Sequence, residues 1–513
     1  MKSISSLIMF FLISFHITAQ QFNVSIKDNL KYSGYSREGK FGNRIYALED
    51  VVKKRTTTEV KLIVNKKDEN NELVLKSSPT PLRLIWPKSA KLFQSGGRLY
   101  LTFQEREVKG YAEFKVAEID TTTMEIGTPR IIADFKKGGY DTKPGTGWES
   151  QDRDYFERSP DSSKFLFFFA NEVSAANIYI CVTDTNLNVL WQRMENLGRS
   201  SNELSIKRAV IDNNGNVYLA YKLIGSKKVQ FAPGDINHIA VFNDKKKVID
   251  KKIDLKEAQM KEIALRISQN NESLLFGGFY FVEDFDFLEG AFSGQMNLQD
   301  YKIAGVRKED FPDKLLAELE TDGWAETKKK KYGVRSNIIP FPFSLPDGSV
   351  TIFGEFRRTE QGTNYKTGAP TGSFMIAGSI LYINLNNSSS IFSRIPKARV
   401  SAGTATGDSY SVFTVDDKII LFYNDKESNL SKKLSEAPDR SDNYSNVVLA
   451  AAIIDKNGAV SRQKVVDLQK EDFMALTSQI YKDQKNVFVV TFVKVKSLGG
   501  FKSEAKIARI EVK

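Results

Sequence analysis

Residues 212–221 read Asp-Asn-Asn-Gly-Asn-Val-Tyr-Leu-Ala-Tyr, a cluster of turn-forming residues followed at once by a short aliphatic and aromatic run. This pairing is typical of a hairpin turn that leads into a buried β-strand. The same combination occurs seven times in the 513-residue chain, with strands that begin at residues 99, 165, 217, 274, 350, 419 and 487. The intervals are irregular, but the pattern continues to the end of the chain and indicates a repeat architecture.

A second feature follows in most copies: an alternating strand that ends in an acidic or amide residue and turns into another strand. Examples are 114–120, 179–184, 238–243, 381–384 and 450–455. Alternation of apolar and polar positions places one face of each strand in a core. Each unit is therefore predicted to be a four-stranded antiparallel meander. About seven such blades predict an all-β fold, a β-propeller, with two tandem β-sandwiches as the alternative.

The last copy supplies only three strands, the third at 505–512. A closed ring needs a fourth, so we expect the N-terminal region to complete the last blade. The candidate segments are 44–52, 60–64 and 81–86. A single propeller domain is then predicted to span residues 20–513.

One helix is predicted in an insertion at about 306–333. Asp310 suits the capping position and Pro312 the first turn, because proline lacks the N–H that a helix start leaves unpaired. The apolar residues of this segment share one helical face: Phe311, Leu315, Leu316 and Leu319.

The N-terminus predicts export. Lys2 precedes an apolar run of about eleven residues, which is too short to span a bilayer, and Ala19 suits signal-peptidase cleavage. Residues 1–19 are therefore predicted to be a signal peptide, with an uncleaved N-terminal anchor as the alternative. No later segment has the length of a membrane span, so the mature chain is expected in the periplasm or at the surface of a Gram-negative cell.

Composition excludes several kinds of chemistry. The chain has two histidines and one cysteine, and the net charge of +11 is spread along its length. Cys181 lies in an apolar run and is predicted to be a buried, inert thiol. His238 lies in a predicted strand, which disfavours a catalytic triad. There is no zinc-protease motif, phosphate-binding glycine loop or nucleophile elbow, so we expect no metal, no cofactor and no nucleic-acid partner.

Two turns carry a family resemblance. Residues 158–167 read Arg-Ser-Pro-Asp-Ser-Ser-Lys-Phe-Leu-Phe, and residues 345–350 read Leu-Pro-Asp-Gly-Ser-Val. The first resembles the Ser-Pro-Asp-Gly repeats of TolB-like and related WD40-like propellers, and the second is a looser copy. The whole chain is similar to large secreted β-propeller-like proteins of Gram-negative envelopes. That resemblance implies a fold but no catalytic residues.

Loop lengths predict which face binds. Turns between first and second strands and between third and fourth strands share one face and are short, whereas longer connections at 135–151, 224–235, 357–372 and 424–444 lie on the other. Long loops on a rigid scaffold are where binding usually resides. The candidate binding residues form three groups. Tyr140 and Trp148 are predicted to form a stacking platform, and Asp284 and Asp286 belong to an acidic segment. Arg357, Arg358 and Tyr365 are predicted to bind an anionic group.

These features favour a secreted, non-catalytic binding or scaffold propeller that engages an envelope protein or glycan through the long-loop face. One alternative is a carbohydrate-active hydrolase or lyase, since glycosidases need only two carboxylates and no histidine. Its candidates are Asp141, Glu283, Asp284 and Asp286. A further alternative is an accessory subunit of an outer-membrane assembly.

Overall fold

The computed structural model describes most of the chain from Phe22 to Lys513. The residues outside the description are 1–21, 32–37, 42–43, 54–56, 68–72, 78–81, 86–87, 107–111, 124, 135–154, 172–176, 198–202, 225–235, 246, 283–286, 322, 329–330, 336–337, 345–349, 364–369, 386–389, 398, 403–409, 441–446, 468–470, 478–479 and 496–500. Within the described part, eight antiparallel sheets of four or more strands follow one another along the chain, and we number them as blades 1 to 8.

Blades 2 to 4 are simple four-stranded meanders, and blade 1 contains a fifth strand. Blade 1 contains β2 (Glu38–Phe41), β3 (Arg44–Lys53), β4 (Thr57–Lys67) and β5 (Leu73–Ser77), with β6 (Leu82–Ile85) paired to β4. Blade 2 contains β7 (Lys88–Ser95), β8 (Arg98–Arg106), β9 (Ala112–Ile119) and β10 (Arg130–Asp134). Blade 3 contains β11 (Tyr155–Arg158), β12 (Lys164–Asn171), β13 (Asn177–Asp184) and β14 (Val189–Asn196). Blade 4 contains β15 (Leu204–Ile211), β16 (Val217–Leu223), β17 (Asn237–Phe242) and β18 (Lys247–Lys252).

Blades 5 and 7 are four-stranded, whereas blades 6 and 8 each contain a fifth strand. Blade 5 contains β19 (Gln259–Ile267), β20 (Ser273–Phe281), β22 (Gly290–Asn297) and β23 (Ile303–Asp310). Blade 6 contains β26 (Ile338–Ser344), β27 (Val350–Thr363), β28 (Pro370–Leu385) and β29 (Ser390–Ile395), with β30 (Arg399–Ala402) paired to β28. Blade 7 contains β31 (Tyr410–Val415), β32 (Lys418–Asp425), β33 (Val448–Ile454) and β34 (Val460–Val466). Blade 8 contains β35 (Phe473–Ala475), β36 (Tyr481–Gln484), β37 (Val487–Val495) and β38 (Phe501–Val512) together with the N-terminal strand β1 (Phe22–Lys31).

The predicted all-β propeller is confirmed. Each of the seven turn-and-strand units forms the second strand of a blade, from β8 to β37, and the N-terminal region adds blade 1 before them. The N-terminal region also closes blade 8, because β1 pairs antiparallel with β38 from Phe22 opposite Val512 to Lys31 opposite Glu504. The three candidate closing segments were wrong in detail: 44–52, 60–64 and 81–86 overlap β3, β4 and β6 of blade 1.

Burial explains why the middle strands are continuously apolar. Every residue of β16, β17 and β33 is buried, whereas the outer strands β14 and β34 are mostly intermediate or exposed. A sheet that is covered on both faces by neighbouring sheets must be apolar on both faces. Separate apolar clusters accordingly join blades 2 and 3, 3 and 4, 4 and 5, 5 and 6, 6 and 7, and 7 and 8.

The predicted helix exists, with a different start. Helix α1 (Asp313–Glu320) follows Pro312, and its Leu315, Leu316 and Leu319 are buried between blades 5 and 6. Asp310 does not cap it, because Asp310 ends β23 and accepts a hydrogen bond from the Tyr280 hydroxyl. The inserted segment therefore begins after Asp310 rather than at 306. It also carries β24 (Ala325–Lys328) and β25 (Lys331–Arg335), which form a small sheet with β21 (Phe287–Leu288).

The strand order defines two faces. We call the face with the turns between first and second and between third and fourth strands the short-turn face, and the opposite one the long-loop face. The long-loop face carries the connections 224–236, 311–337 and 426–447, the last of which contains the short helix α2 (Glu427–Leu430). The prediction of an irregular loop at 357–372 was wrong, because β27 and β28 continue as a paired hairpin from Arg357 opposite Ala377 to Thr363 opposite Pro370.

Candidate functional site

The turn that resembles TolB-like propellers is held by its own side chains. The Ser159 hydroxyl donates a hydrogen bond to the Asp161 carboxylate at 2.7 Å, and the Ser163 N–H donates to the same carboxylate oxygen at 2.9 Å. The Lys164 N–H donates to the Ser159 hydroxyl oxygen at 3.0 Å. Side chains that hydrogen-bond to nearby backbone stabilise tight turns. This motif therefore has a structural role on the short-turn face.

Other turns of the short-turn face bind the next blade. The Asn213 Oδ1 accepts the Asp161 N–H of the preceding blade at 3.1 Å, and the Asn271 Oδ1 of the following blade accepts the Asn213 N–H at 2.9 Å. The Trp191 indole N–H similarly donates to the Gly215 carbonyl at 3.2 Å. Polar groups on this face of blades 3 to 5 are thus used to connect blades to one another.

Three buried lysines lie together at the long-loop ends of blades 4 and 5. Lys207, Lys222 and Lys261 are each less than a tenth exposed, and Lys222 stands one residue before the end of β16. The pairing register of β15 shifts between Ile206 and Arg208, and Lys207 is the unpaired residue at that bulge. We call Lys207, Lys222 and Lys261 the lysine cluster.

Lys261 occupies a similar bulge in β19, where the register shifts between Met260 and Glu262. Bulges redirect side chains and occur often beside functional sites. Because β15 and β19 are the first strands of adjacent blades, these two bulges bring lysines from separate sheets to one place. The Lys207 Nζ lies 3.4 Å from the Glu262 Oε1, so a carboxylate of blade 5 faces a lysine of blade 4.

The members of the lysine cluster act on one another electrostatically. Burial lowers the pKa of Lys222 to about 8, and the charges of Lys207 and Lys261 lower it further, while Glu262 opposes the shift. The Lys222 Nζ also lies 4.9 Å from the centroid of the Phe281 ring, at the end of β20. A cation over an aromatic face is stabilised by the ring quadrupole.

A second buried polar group lies between blades 6 and 7. Glu355 and Lys397 form an ion pair in which the side chains are 1% and 0% exposed. Lys397 donates to Oε1 of Glu355, while the Arg357 Nε and a terminal Arg357 nitrogen lie 2.8 and 2.7 Å from Oε2. Each carboxylate oxygen of Glu355 therefore has its own cation.

Asp425, at the end of β32, is the unusual acid of this region. Its Oδ1 accepts hydrogen bonds from the Asn429 side-chain amide and the Lys426 N–H, both at 2.8 Å. Within the described residues its Oδ2 is buried and accepts none. Burial raises the pKa of Asp425 to about 7, although those hydrogen bonds and the charges of Lys397 and Arg462 oppose the shift. Asp425 thus titrates near neutrality, where an acid or base can exchange protons.

The structure describes two of the seven predicted binding residues. Arg357 is partly buried and paired with Glu355, so its charge already has an internal partner. Arg358 lies in β27 opposite Ile376 of β28. Tyr140, Trp148, Asp284, Asp286 and Tyr365 lie outside the described residues, as do Asp141 and Glu283.

The surroundings of the only cysteine and of the histidine in blade 4 indicate structural roles for both residues. Cys181 is buried as predicted, and burial raises the pKa of its thiol to about 12, which disfavours the nucleophilic thiolate. The His238 Nδ1 lies 3.1 Å from Asp250 Oδ1, and its ring stacks on Tyr221 at 4.9 Å. Burial opposes ionisation of Asp250, but hydrogen bonds from His238, Lys247 and Tyr221 outweigh it and lower the pKa to about 2.

The lysine cluster, Glu355 and Asp425 were not predicted from the sequence. Each is a charged residue inside or at the end of an apolar strand, as in Tyr221-Lys222-Leu223 and Gly354-Glu355-Phe356. A charge at a position that the strand pattern assigns to the core is a signal for a buried polar site, because such residues are seldom fully buried unless paired.

No protein-family model and no curated protein sequence matches this chain. Among solved structures, it is similar to a polysaccharide lyase of a new family, ulvan lyase bound to -[GlcA(1-4)Rha3S]-, with 12% identity and a TM-score of 0.38 over 81% of this chain and 90% of that one. It is also similar to the β-propeller domain of the trilobed protease from Pyrococcus furiosus, which has an open velcro topology, with 11% identity and a TM-score of 0.35 over 85% of this chain and 98% of that one.

A third similar structure is a Synechocystis apocarotenoid oxygenase mutant, with 8% identity and a TM-score of 0.31 over 97% of this chain and 94% of that one. At these identities a likeness concerns the fold. Among the described residues, no helix combines the length and the apolar character needed to cross a membrane.

Proposed function

We propose that this chain is an exported, non-catalytic binding propeller that engages a protein or glycan of the cell envelope through its long-loop face. The observation that carries the proposal is the difference between the two faces. Among the described residues, side chains of the short-turn face hold turns and join blades, whereas the long-loop ends of blades 4 to 7 carry buried charged side chains. A charged side chain that is buried away from any turn lowers the free energy of unfolding relative to an apolar side chain in the same space.

Export fits the start of the propeller. Cleavage after Ala19 would remove the apolar N-terminal run and leave β1, which begins at Phe22 and pairs with β38, intact. A folded ring without disulfides depends on its apolar clusters, which are large in this chain. The periplasm or the surface of a Gram-negative cell is the proposed location.

A face-selective block tests the proposal. Because Cys181 is buried, a cysteine placed on the surface can be labelled alone. Ile224 and Asn214 are exposed and flank the same strand, β16, at its long-loop and short-turn ends. A polyethylene glycol maleimide on I224C should abolish binding to an immobilised panel of envelope proteins and polysaccharides, and the same label on N214C should not. Equal binding by both labelled proteins would contradict the proposal.

A second candidate function rests on Glu355 and Asp425. Acid–base catalysis on polysaccharides commonly uses a pair of carboxyl groups, one of which has a raised pKa. Glu355 is bonded to two cations, whereas Asp425 has its pKa raised to about 7, and Lys397 acts on both. These residues would replace the sequence-based candidates as the acid and base of a carbohydrate-active enzyme.

The D425N variant separates the two candidates. It removes a buried charge and should fold at least as well as the parent chain. If the parent releases new reducing or unsaturated sugar ends from a panel of acidic and neutral polysaccharides, D425N should lose most of that activity. Absence of any cleavage by the parent chain would remove the enzyme candidate and leave the binding propeller.

A further inference from the structure

Residues 426–440, at the start of the connection between β32 and β33, fold into a closed loop that we call the strap. Asn429 closes it, because its side-chain amide donates to the Asp439 carbonyl at 3.0 Å and its Oδ1 accepts the Asp439 N–H at 2.6 Å. The Lys432 ammonium group and the Ser428 hydroxyl also donate to the Asp439 carboxylate, at 2.5 and 2.8 Å. The strap is therefore a compact loop held by its own side chains.

Arginines from two neighbouring blades hold the strap in place. Arg394 of β29 is fully buried, and its guanidinium group donates to the Leu434 carbonyl at 2.5 Å. Arg462 of β34 donates to the Lys432 carbonyl, and Leu430 packs against the apolar cluster of blades 6 and 7. Because β29 and β34 are the fourth strands of these blades, the strap covers the boundary between them. It contains no strand, so it can separate from the blades without unpairing a sheet.

Asp425 lies under the strap and shares a hydrogen-bond partner with it. The Asn429 side-chain amide that donates to the Asp439 carbonyl also donates to the Asp425 Oδ1 at 2.8 Å. Asp425 and Asn429 are both 0% exposed. The residue that closes the strap is thus in direct contact with a buried carboxyl group, so the position of the strap and the protonation of Asp425 depend on each other.

The surroundings of Asp425 identify it as the group that titrates. Among the described residues, the charges that act on it are Lys397, which follows β29, and Arg462. Tyr423, two residues earlier in β32, stays neutral because burial raises the pKa of its phenol. Burial raises the pKa of Asp425 to about 7, although its hydrogen bonds and the two cations oppose the shift. Contact with water would return the pKa to about 4, and the strap limits that contact.

We propose that the strap is a pH-dependent cover on the long-loop face, closed while Asp425 is protonated and open more often once Asp425 is ionised. The inference goes beyond the proposed binding function, because it assigns a regulated element to that face whatever ligand binds there. An acid with a higher pKa in the closed state than in the open state favours closure at low pH. Closure weakens as pH rises from about 4 to about 7, so the opening equilibrium should increase about tenfold between pH 6 and pH 8.

Trypsin cleavage after Lys432 and Lys433 measures this opening, because cleavage follows the open population when closing is faster than cleavage. A synthetic peptide of residues 426–440 supplies the intrinsic cleavage rate at each pH, and mass spectrometry quantifies the products. Relative to the peptide, the full chain should be cleaved about tenfold faster at pH 8 than at pH 6. Equal relative rates at the two pH values would overturn the proposal.

The D425N variant tests whether Asp425 is the switch. Its side-chain amide does not titrate, so the relative cleavage rate should be the same at both pH values. D416N is the matched control, because Asp416 lies at the short-turn end of β32 and its side chain is 60% exposed. It should keep the tenfold rise, and circular dichroism verifies that both variants are folded. A rise that persists in D425N, or that D416N abolishes, would contradict the assignment to Asp425.

This test and the face-selective block fail independently. The strap is measured without a ligand, so an unchanged cleavage rate removes the switch and leaves the binding face as proposed. Equal envelope binding by labelled I224C and N214C removes the proposed binding face, whereas the pH dependence of the strap still stands or falls on trypsin cleavage.

Discussion

The buried pair of Glu355 and Lys397 gives a quantitative test of the packing between blades 6 and 7. In E355Q, Lys397 keeps its charge at 0% exposure and loses the carboxylate that balances it. Removing one partner of a buried ion pair costs about 3–5 kcal/mol. K397M should cost less, because Arg357 still pairs with Oε2 of Glu355. The double variant removes both buried charges and should regain most of the stability that E355Q loses.

Scanning calorimetry converts these energies into temperatures. An unfolding entropy of about 2.1 cal/mol/K per residue gives about 1 kcal/mol/K for a chain of this length, so E355Q should lower the melting temperature by about 3–5 °C. The double-mutant cycle should show a coupling of about 2 kcal/mol or more. The claim that Glu355 and Lys397 form a buried, mutually dependent ion pair would be refuted by either of two results. One is an E355Q melting temperature equal to that of the parent, and the other is strictly additive effects in the double variant.

Three more outcomes are expected. Deleting β1 (Phe22–Lys31) should leave the outer edge of β38 unpaired and make blade 8 the first site of limited proteolysis, whereas unchanged protease resistance would contradict the closure. The folded pKa of Asp425 is raised to about 7 from an unfolded value near 4, so stability should fall as pH rises between those values, and D425N should remove that fall in a pH series of melting temperatures. Cys181 should react with a maleimide only after unfolding, because its thiol is buried and its pKa is raised to about 12; rapid labelling of the folded chain would disprove this.

The repeat was predictable because its turns and second strands obey local rules. A turn such as 212–216 followed by the fully buried β16 is visible in sequence wherever it occurs. The closing strand, β1, was harder to predict from the sequence. β1 is an outer strand, and Phe22 and Val24 are only partly buried against the apolar cluster of blades 7 and 8. Its apolar pattern is therefore weaker than that of the three candidate segments, which lie in blade 1.

The errors at Asp310 and at 357–372 share a cause. Asp310 has the side chain of a helix cap, but a tertiary hydrogen bond from Tyr280 holds it in a strand. The segment 357–372 is rich in polar residues and glycine, yet β27 and β28 pair through most of it, and β30 pairs with β28 beside it. In both places tertiary contacts outweigh local preference.

The candidate site was the least predictable part. Sequence alone predicts that a lysine in a strand is exposed to solvent, because it does not show which neighbouring blade covers that strand. The lysine cluster also depends on two β-bulges, which no particular residue type predicts. Only the meeting of blades 4 and 5 brings Lys207 and Glu262 together.

The pairing of β1 with β38 makes the order of folding a constraint on this protein. β1 is synthesised before blades 1 to 7 and its partner β38 after them, so blade 8 cannot form until those blades have been made. Closing so long a loop is slow, and during that delay both strands offer free edges. While the ring is open, β38 can pair in the same register with β1 of a second copy. A high concentration of chains that are still folding therefore favours strand-exchanged dimers over closed single rings.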